Sequence, residues 1–132
     1  MGAKILVIDD TLANRKAYQA LLSRRGTGVA VSAAGEEGVE RALRGDFAVI
    51  LVDVKMPGMD GYETADLLRK CLEGKNTSII LMTAHDTPSW TQARLKQKGI
   101  EDFFTEPIDP DYVEGRVAEL VLRNTGGRSA SA

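Results

Sequence analysis

Ala48-Val49-Ile50-Leu51-Val52 is an unbroken apolar run, and Asp53-Val54-Lys55-Met56-Pro57-Gly58-Met59-Asp60-Gly61 follows it without a spacer. A continuous run of this kind, bounded by turn residues, fits a strand buried on both faces, as in a parallel sheet. Asp60-Gly61 places an acidic group at a helix start, so Asp53 falls at the carboxyl end of a strand with a loop beyond it. Working outward, Ile5 to Ile8 and Ile79 to Met82 are runs of the same type, and Val29 to Ala33 and Asp102 to Thr105 are weaker strands. Helical spacing lies between them: Ala13, Ala17 and Leu21; Val39, Ala42 and Leu43; Ala65, Leu68 and Leu72; and Val113, Val117, Leu120 and Val121. Thr87-Pro88 and Asp109-Pro110 place a capping oxygen before a first-turn proline, and Gly35-Glu36-Glu37 puts acids near another helix start. Alternating strands and helices predict an α/β fold, a doubly wound sheet of five parallel strands with five helices, whose ligands collect beyond the carboxyl ends of the strands.

The chain has 132 residues and 43% apolar content, enough for one domain with a core that needs no disulfide. Residues 1–123 are expected to form it, and 124–132, small, polar and glycine-bearing, read as a flexible tail or the start of a linker. A net charge of −2 gives no broad positive field, which argues against direct nucleic-acid binding. No apolar run is long enough to span a bilayer and no secretory signal opens the chain, so a cytoplasmic location without membrane contact is expected. Cys71, the only cysteine, sits among leucines and is expected to be a buried reduced thiol.

Asp9 and Asp10 directly follow Ile5 to Ile8, as Asp53 follows Ala48 to Val52. If those runs are neighbouring parallel strands, three carboxylates meet at one sheet edge, where each pair of like charges about 4 Å apart costs on the order of 4 kcal/mol at an effective dielectric near 20. A cation is called for, and an all-oxygen donor set with room for water and phosphate suits Mg²⁺.

Ile5-Leu6-Val7-Ile8-Asp9-Asp10, Val52-Asp53-Val54-Lys55-Met56-Pro57-Gly58-Met59-Asp60-Gly61 and Met82-Thr83-Ala84, in that order, resemble the receiver domain of two-component response regulators over about residues 3–123. The resemblance implies a flavodoxin-like fold and an aspartate that accepts a phosphoryl group from a phosphohistidine on a histidine kinase or phosphotransfer protein. Asp53 matches that acceptor, and Asp9, Asp10, Asp53 and the Lys55 backbone carbonyl match the Mg²⁺ ligands. Thr83 matches the phosphoryl-binding hydroxyl, with the Val54 and Ala84 backbone N–H groups as further donors. Thr83 and Phe103 match the residues that switch on phosphorylation. A downstream signalling protein or domain would read the switch, and chemistry would be confined to self-phosphorylation and autodephosphorylation rather than turnover of a separate substrate.

One position departs from that pattern. Phe103-Phe104-Thr105-Glu106-Pro107 carries Glu106 where the resemblance implies a lysine, a charge reversal that adds a carboxylate beside the acceptor. Three readings follow: a working receiver with an altered switch, with Lys55 or His85 supplying positive charge; a degenerate receiver acting as a phosphorylation-independent binding module; or an incidental change in an ordinary receiver. The fourth helix, from about Ser89 to Lys98, carries Trp90 and Arg94 as a partner surface. No Gly-x-x-x-x-Gly-Lys-Ser/Thr loop and no Gly-x-Gly-x-x-Gly follows the first strand, which argues against nucleoside triphosphate and dinucleotide sites. Lys55 stands where a haloacid-dehalogenase-type phosphatase would need a second aspartate. The chain reads as a domain of a longer signalling protein such as a hybrid histidine kinase.

Overall fold

The computed structural model describes residues 2–83 and 89–126, except for the side chains of residues 89 and 90. Its elements are β1 (Ile5–Ile8), α1 (Leu12–Leu22), β2 (Val29–Ser32), α2 (Gly35–Arg44), β3 (Val49–Asp53), α3 (Gly61–Cys71), β4 (Ser78–Thr83), α4 (Ser89–Gln97), β5 (Ile100–Thr105) and α5 (Pro110–Asn124). The strands form one parallel sheet in the order β2-β1-β3-β4-β5. From β1 the chain steps outward to β2 and then back past β1 to β3, so the winding direction reverses between β1 and β3. At such a reversal the loops leave the sheet in opposite directions and open a crevice at its carboxyl edge.

Strand alternation divides the core in two. Leu6, Ile8, Ile50, Val52, Ile79, Leu81 and Phe103 point to one face and pack on Val39, Ala42, Ala65, Leu68 and Leu72 of the α2–α3 side. Ile5, Val7, Val49, Leu51, Ile80, Met82 and Phe104 point to the other, against Tyr18, Leu22, Val113, Val117 and Leu120 of α1 and α5. Burying one such side chain fully contributes about 1.5–3 kcal/mol, which is why continuous apolar strands require helices on both faces.

The expected helix faces need adjustment. On α1 the inward residues are Tyr18 and Leu22, whereas Ala13 and Ala17 are exposed and Leu21 is half-buried. The larger apolar bodies win the sheet, turning the small-residue stripe outward. Leu43 is exposed while Val39 and Ala42 are buried. Cys71 is exposed rather than buried, because α3 packs along Gly61, Ala65, Leu68 and Leu72, and a residue next to Leu72 is rotated by about 100° from it. Asn124 belongs to α5 rather than to the tail, since its Nδ2 donates to the Ala48 carbonyl at 2.9 Å and to Ser78 Oγ at 2.8 Å. The Thr87-Pro88 cap and residues 127–132 lie outside the described residues.

Two helix starts follow the sequence chemistry closely. Asp60 and Glu63 form a reciprocal capping box at α3, and the Asp109 side chain accepts from the Asp111 and Tyr112 N–H groups at α5. Gly61 brings α3 hard against the end of β3: its N–H donates to the Val54 carbonyl at 3.0 Å. A Cβ there would collide with the Asp53 carbonyl oxygen and lie 2.5 Å from Val54 Cα. Gly61→Ala is therefore expected to lower the unfolding free energy by roughly 2–3 kcal/mol. Gly115→Ala on α5, with nothing within 4 Å of the new carbon, serves as the control that costs no stability. Urea denaturation checks both, and equal midpoints for Gly61→Ala and the parent protein would contradict the close approach.

Candidate functional site

Ile8 and Val52 are register partners, so the residues that follow them, Asp9 and Asp53, leave adjacent strands at the same level. Neighbouring strands lie about 4.8 Å apart. One carboxylate oxygen from each of Asp9, Asp10 and Asp53 lies within 4.8 Å of the others, the convergence expected from the sequence.

Local bonds fix the first acid. Asp9 is 2% exposed; its Oδ1 accepts from the Thr11 N–H at 2.9 Å and its Oδ2 from Asn14 Nδ2 at 3.3 Å. Arg15 Nη1 donates to the Asp9 carbonyl at 2.8 Å, tying the start of α1 to the same loop. Burial raises the Asp9 pKa against the pull of these hydrogen bonds. Asp10 is exposed at the mouth.

Asp53 is half-buried, and its Oδ1 accepts from the Lys55 N–H at 3.1 Å. Burial first and the Asp9 charge second push its pKa up to about 6, with Asp10 and Glu106 adding to the rise. Among the described residues, every charge that bears on Asp53 in this way is another carboxylate. The donor set is all oxygen, closely spaced and short of positive charge, which fits a hard divalent cation such as Mg²⁺.

The remaining expected residues divide by position. Thr83 ends β4 and is buried. Phe103 is buried across from Leu81 in the β4–β5 register, on the same sheet face as Thr83. The Val54 N–H, expected as a phosphoryl donor, is instead spent on the Met82 carbonyl at 3.0 Å. One N–H carries one proton, so the amide that meets the Asp53 carboxylate is that of Lys55. The Lys55 side chain is exposed. Ala84 and His85 lie outside the described residues, as does the Trp90 side chain; Arg94 is exposed on α4.

Glu106 follows β5, and its N–H donates to the Thr83 carbonyl at 2.8 Å. Its side chain is exposed but acts on the site, since its charge raises the pKa of both Asp53 and Tyr18. The face containing β5 and α5 is tied internally: Arg116 Nε meets Asp102 Oδ2 at 3.0 Å, and Arg123 Nη2 meets Glu101 Oε1 at 2.6 Å. Sequence reading missed these pairs, which join residues far apart in the chain. It also missed Tyr18, whose signal is its spacing of four from Asn14 and from Leu22 along one helix face.

The chain matches the response regulator receiver domain over residues 5–118. The signal transduction histidine-protein kinase BarA of Escherichia coli (strain K12) is 32% identical over 132 residues, 100% of this chain and 14% of BarA. The receiver domain of the Francisella response regulator 1452 superposes with a TM-score of 0.81 at 29% identity, covering 92% of this chain and 98% of that one. For the Vibrio cholerae chemotaxis protein CheY4 the TM-score is 0.80 at 28% identity, covering 91% of this chain and 99% of that one.

The chain belongs to the response regulator receiver domain family, the switch domains of two-component signalling. Receiver domains bind Mg²⁺ at an acidic cluster and work with histidine kinases or phosphotransfer proteins and downstream effectors. This chain spans only a small part of the kinases it resembles. No helix among the described residues is long and apolar enough to cross a membrane.

The raised Asp53 pKa has a consequence for stability. Between the ordinary value of 3.8 and about 6 the folded state holds a proton that the unfolded state releases, so stability falls as pH rises through that window. Asp53→Asn removes the penalty. Without divalent cations it is expected to stabilise the protein by roughly 1–2 kcal/mol at about pH 7.5, the shift being discounted for partial solvent screening, with no gain near pH 3.5. Denaturation at several pH values checks this; a pH-independent difference would contradict it.

Proposed function

We propose that Asp53 accepts a phosphoryl group from the phosphohistidine of a histidine kinase or phosphotransfer protein, and that the change is read by a downstream signalling protein or domain. The observation that carries this is the convergence of Asp9, Asp10 and Asp53 at the reversal of the sheet. In the transfer an Asp53 carboxylate oxygen bonds to phosphorus as the bond from phosphorus to the donor imidazole breaks. The bonding pair stays on the imidazole nitrogen, which takes a proton from solvent.

The protein's own part is positioning and charge management rather than acid–base chemistry. Asp9, Asp10 and Asp53, with the Lys55 carbonyl, would hold the Mg²⁺ ion, which supplies charge neutralisation when bound. The Lys55 N–H steadies one Asp53 oxygen and leaves the other to attack. Thr11 and Asn14 orient Asp9. The Thr83 hydroxyl is the donor to the transferred group, and with Phe103 it forms the switch that phosphorylation moves. Glu106 takes the place of the family's lysine and opposes the transfer by its charge.

Glu106 also favours a second reading, in which the domain binds partners without being phosphorylated, because its charge raises the affinity of Asp53 for a proton rather than for phosphorus. A small phosphodonor with Mg²⁺ separates the two. The protein is expected to gain the mass of one phosphoryl group, Asp53→Asn to gain none, and Glu106→Lys to be phosphorylated several-fold faster. A folded parent protein that gains no mass, while Glu106→Lys does, would assign the domain to the second reading.

A further inference from the structure

We propose that the Tyr18 hydroxyl is a hydrogen-bond donor to the phosphoryl group on Asp53, reaching the acceptor pocket from the α1–α5 face of the sheet. The inference rests on the reading of Asp53 as acceptor. Tyr18 is 4% exposed and belongs to the buried cluster that holds Val7, Leu51, Met82 and Phe104. Its hydroxyl is buried and has no hydrogen-bond partner among the described residues. Phenylalanine would fill the same space without burying an unpaired polar atom, so the oxygen calls for a partner that arrives later.

Strand alternation shows where that partner would stand. Asp53 lies two residues beyond Leu51, and Glu106 two beyond Phe104, so both continue the face on which Tyr18 packs. Thr83 continues the opposite face, two residues beyond Leu81. The Tyr18 and Thr83 hydroxyls therefore flank the acceptor from the two sides of the sheet.

A cavity of about 320 Å³ opens beside Tyr18 and Glu106, with Asn14, Ala17, Leu21, Ile108 and Pro110 forming the rest of its lining. Burial first, and then the charges of Glu106, Asp9 and Asp53, keep the hydroxyl protonated. A phenol held in that form, among groups that only accept, can do one thing for an incoming anion, which is to donate. Its ring turns on two torsions and is already packed, so donation costs little ordering. Tyr18 thus supplies neutral polarity on the side of the pocket where Glu106 has brought negative charge.

Tyr18→Phe tests this in the intact chain, with beryllium fluoride plus Mg²⁺ as phosphoryl mimic and Mg²⁺ alone as control, both followed by NMR titration. The substitution is expected to weaken beryllium fluoride binding about tenfold and to shorten the lifetime of phosphorylated Asp53, while Mg²⁺ affinity stays the same and thermal stability is equal or higher. Unchanged beryllium fluoride affinity and lifetime would overturn the proposal and leave Tyr18 a core residue. Equal losses for Mg²⁺ and beryllium fluoride would overturn it too, since they would mark a deformed pocket. A parent protein that binds no beryllium fluoride and takes no phosphoryl group would bring down the reading of Asp53 and this inference with it; a parent that does both beside an indistinguishable Tyr18→Phe brings down this inference alone.

Discussion

Repulsion among Asp9, Asp10 and Asp53 is the constraint around which the carboxyl edge of the sheet is built. Parallel pairing of β1 with β3 puts Ile8 beside Val52, and the next step along each strand must then place two acids side by side. The apolar strands on either side drive that pairing through burial, which far exceeds the local electrostatic cost. Folding therefore holds these carboxylates at a defined place where burial first, and neighbouring carboxylate charge second, raise the pKa of Asp9 and Asp53. A site loaded in this way responds strongly to whatever brings positive charge to it.

The surrounding residues manage that charge in different ways. Hydrogen bonds from Thr11 and Asn14 oppose the effect of burial on Asp9, and the Lys55 amide does the same for Asp53. Glu106 works in the other direction from the end of β5, although its side chain reaches solvent. The same carboxylate acts on Tyr18 below, so the cavity between α1 and the start of α5 is electrically continuous with the acidic cluster. The ion pairs of Arg116 and Arg123 with β5 hold the neighbouring face of the sheet together.

Much of this was open to a reader of the sequence because strands buried on both faces announce themselves as apolar runs. Ile5 to Ile8 and Ile79 to Met82 lie within β1 and β4, and the run ending at Val52 contains most of β3, with Asp53 its last residue. Helix faces were harder. On α1 the alanine row and the Tyr18–Leu22 row lie one residue, about 100°, apart, and burial of the larger side chains in the cluster that holds Val7 and Leu51 decides between them. Cys71 was misplaced for the same reason, one step around the helix from Leu72. The Val54 amide shows another limit, since residue type cannot say whether an N–H faces a ligand or a neighbouring strand. Tyr18 stayed hidden because its hydroxyl gains meaning only from groups on three other segments.

The most direct test of the charge arrangement is the titration midpoint of the Asp53 carboxyl group, followed by its carbon-13 resonance with and without Mg²⁺. Without a divalent cation the midpoint should stand near 6, and saturating Mg²⁺ should drive it below the ordinary 3.8. A midpoint at the ordinary value in the absence of cation, or one that Mg²⁺ does not move, would contradict the account.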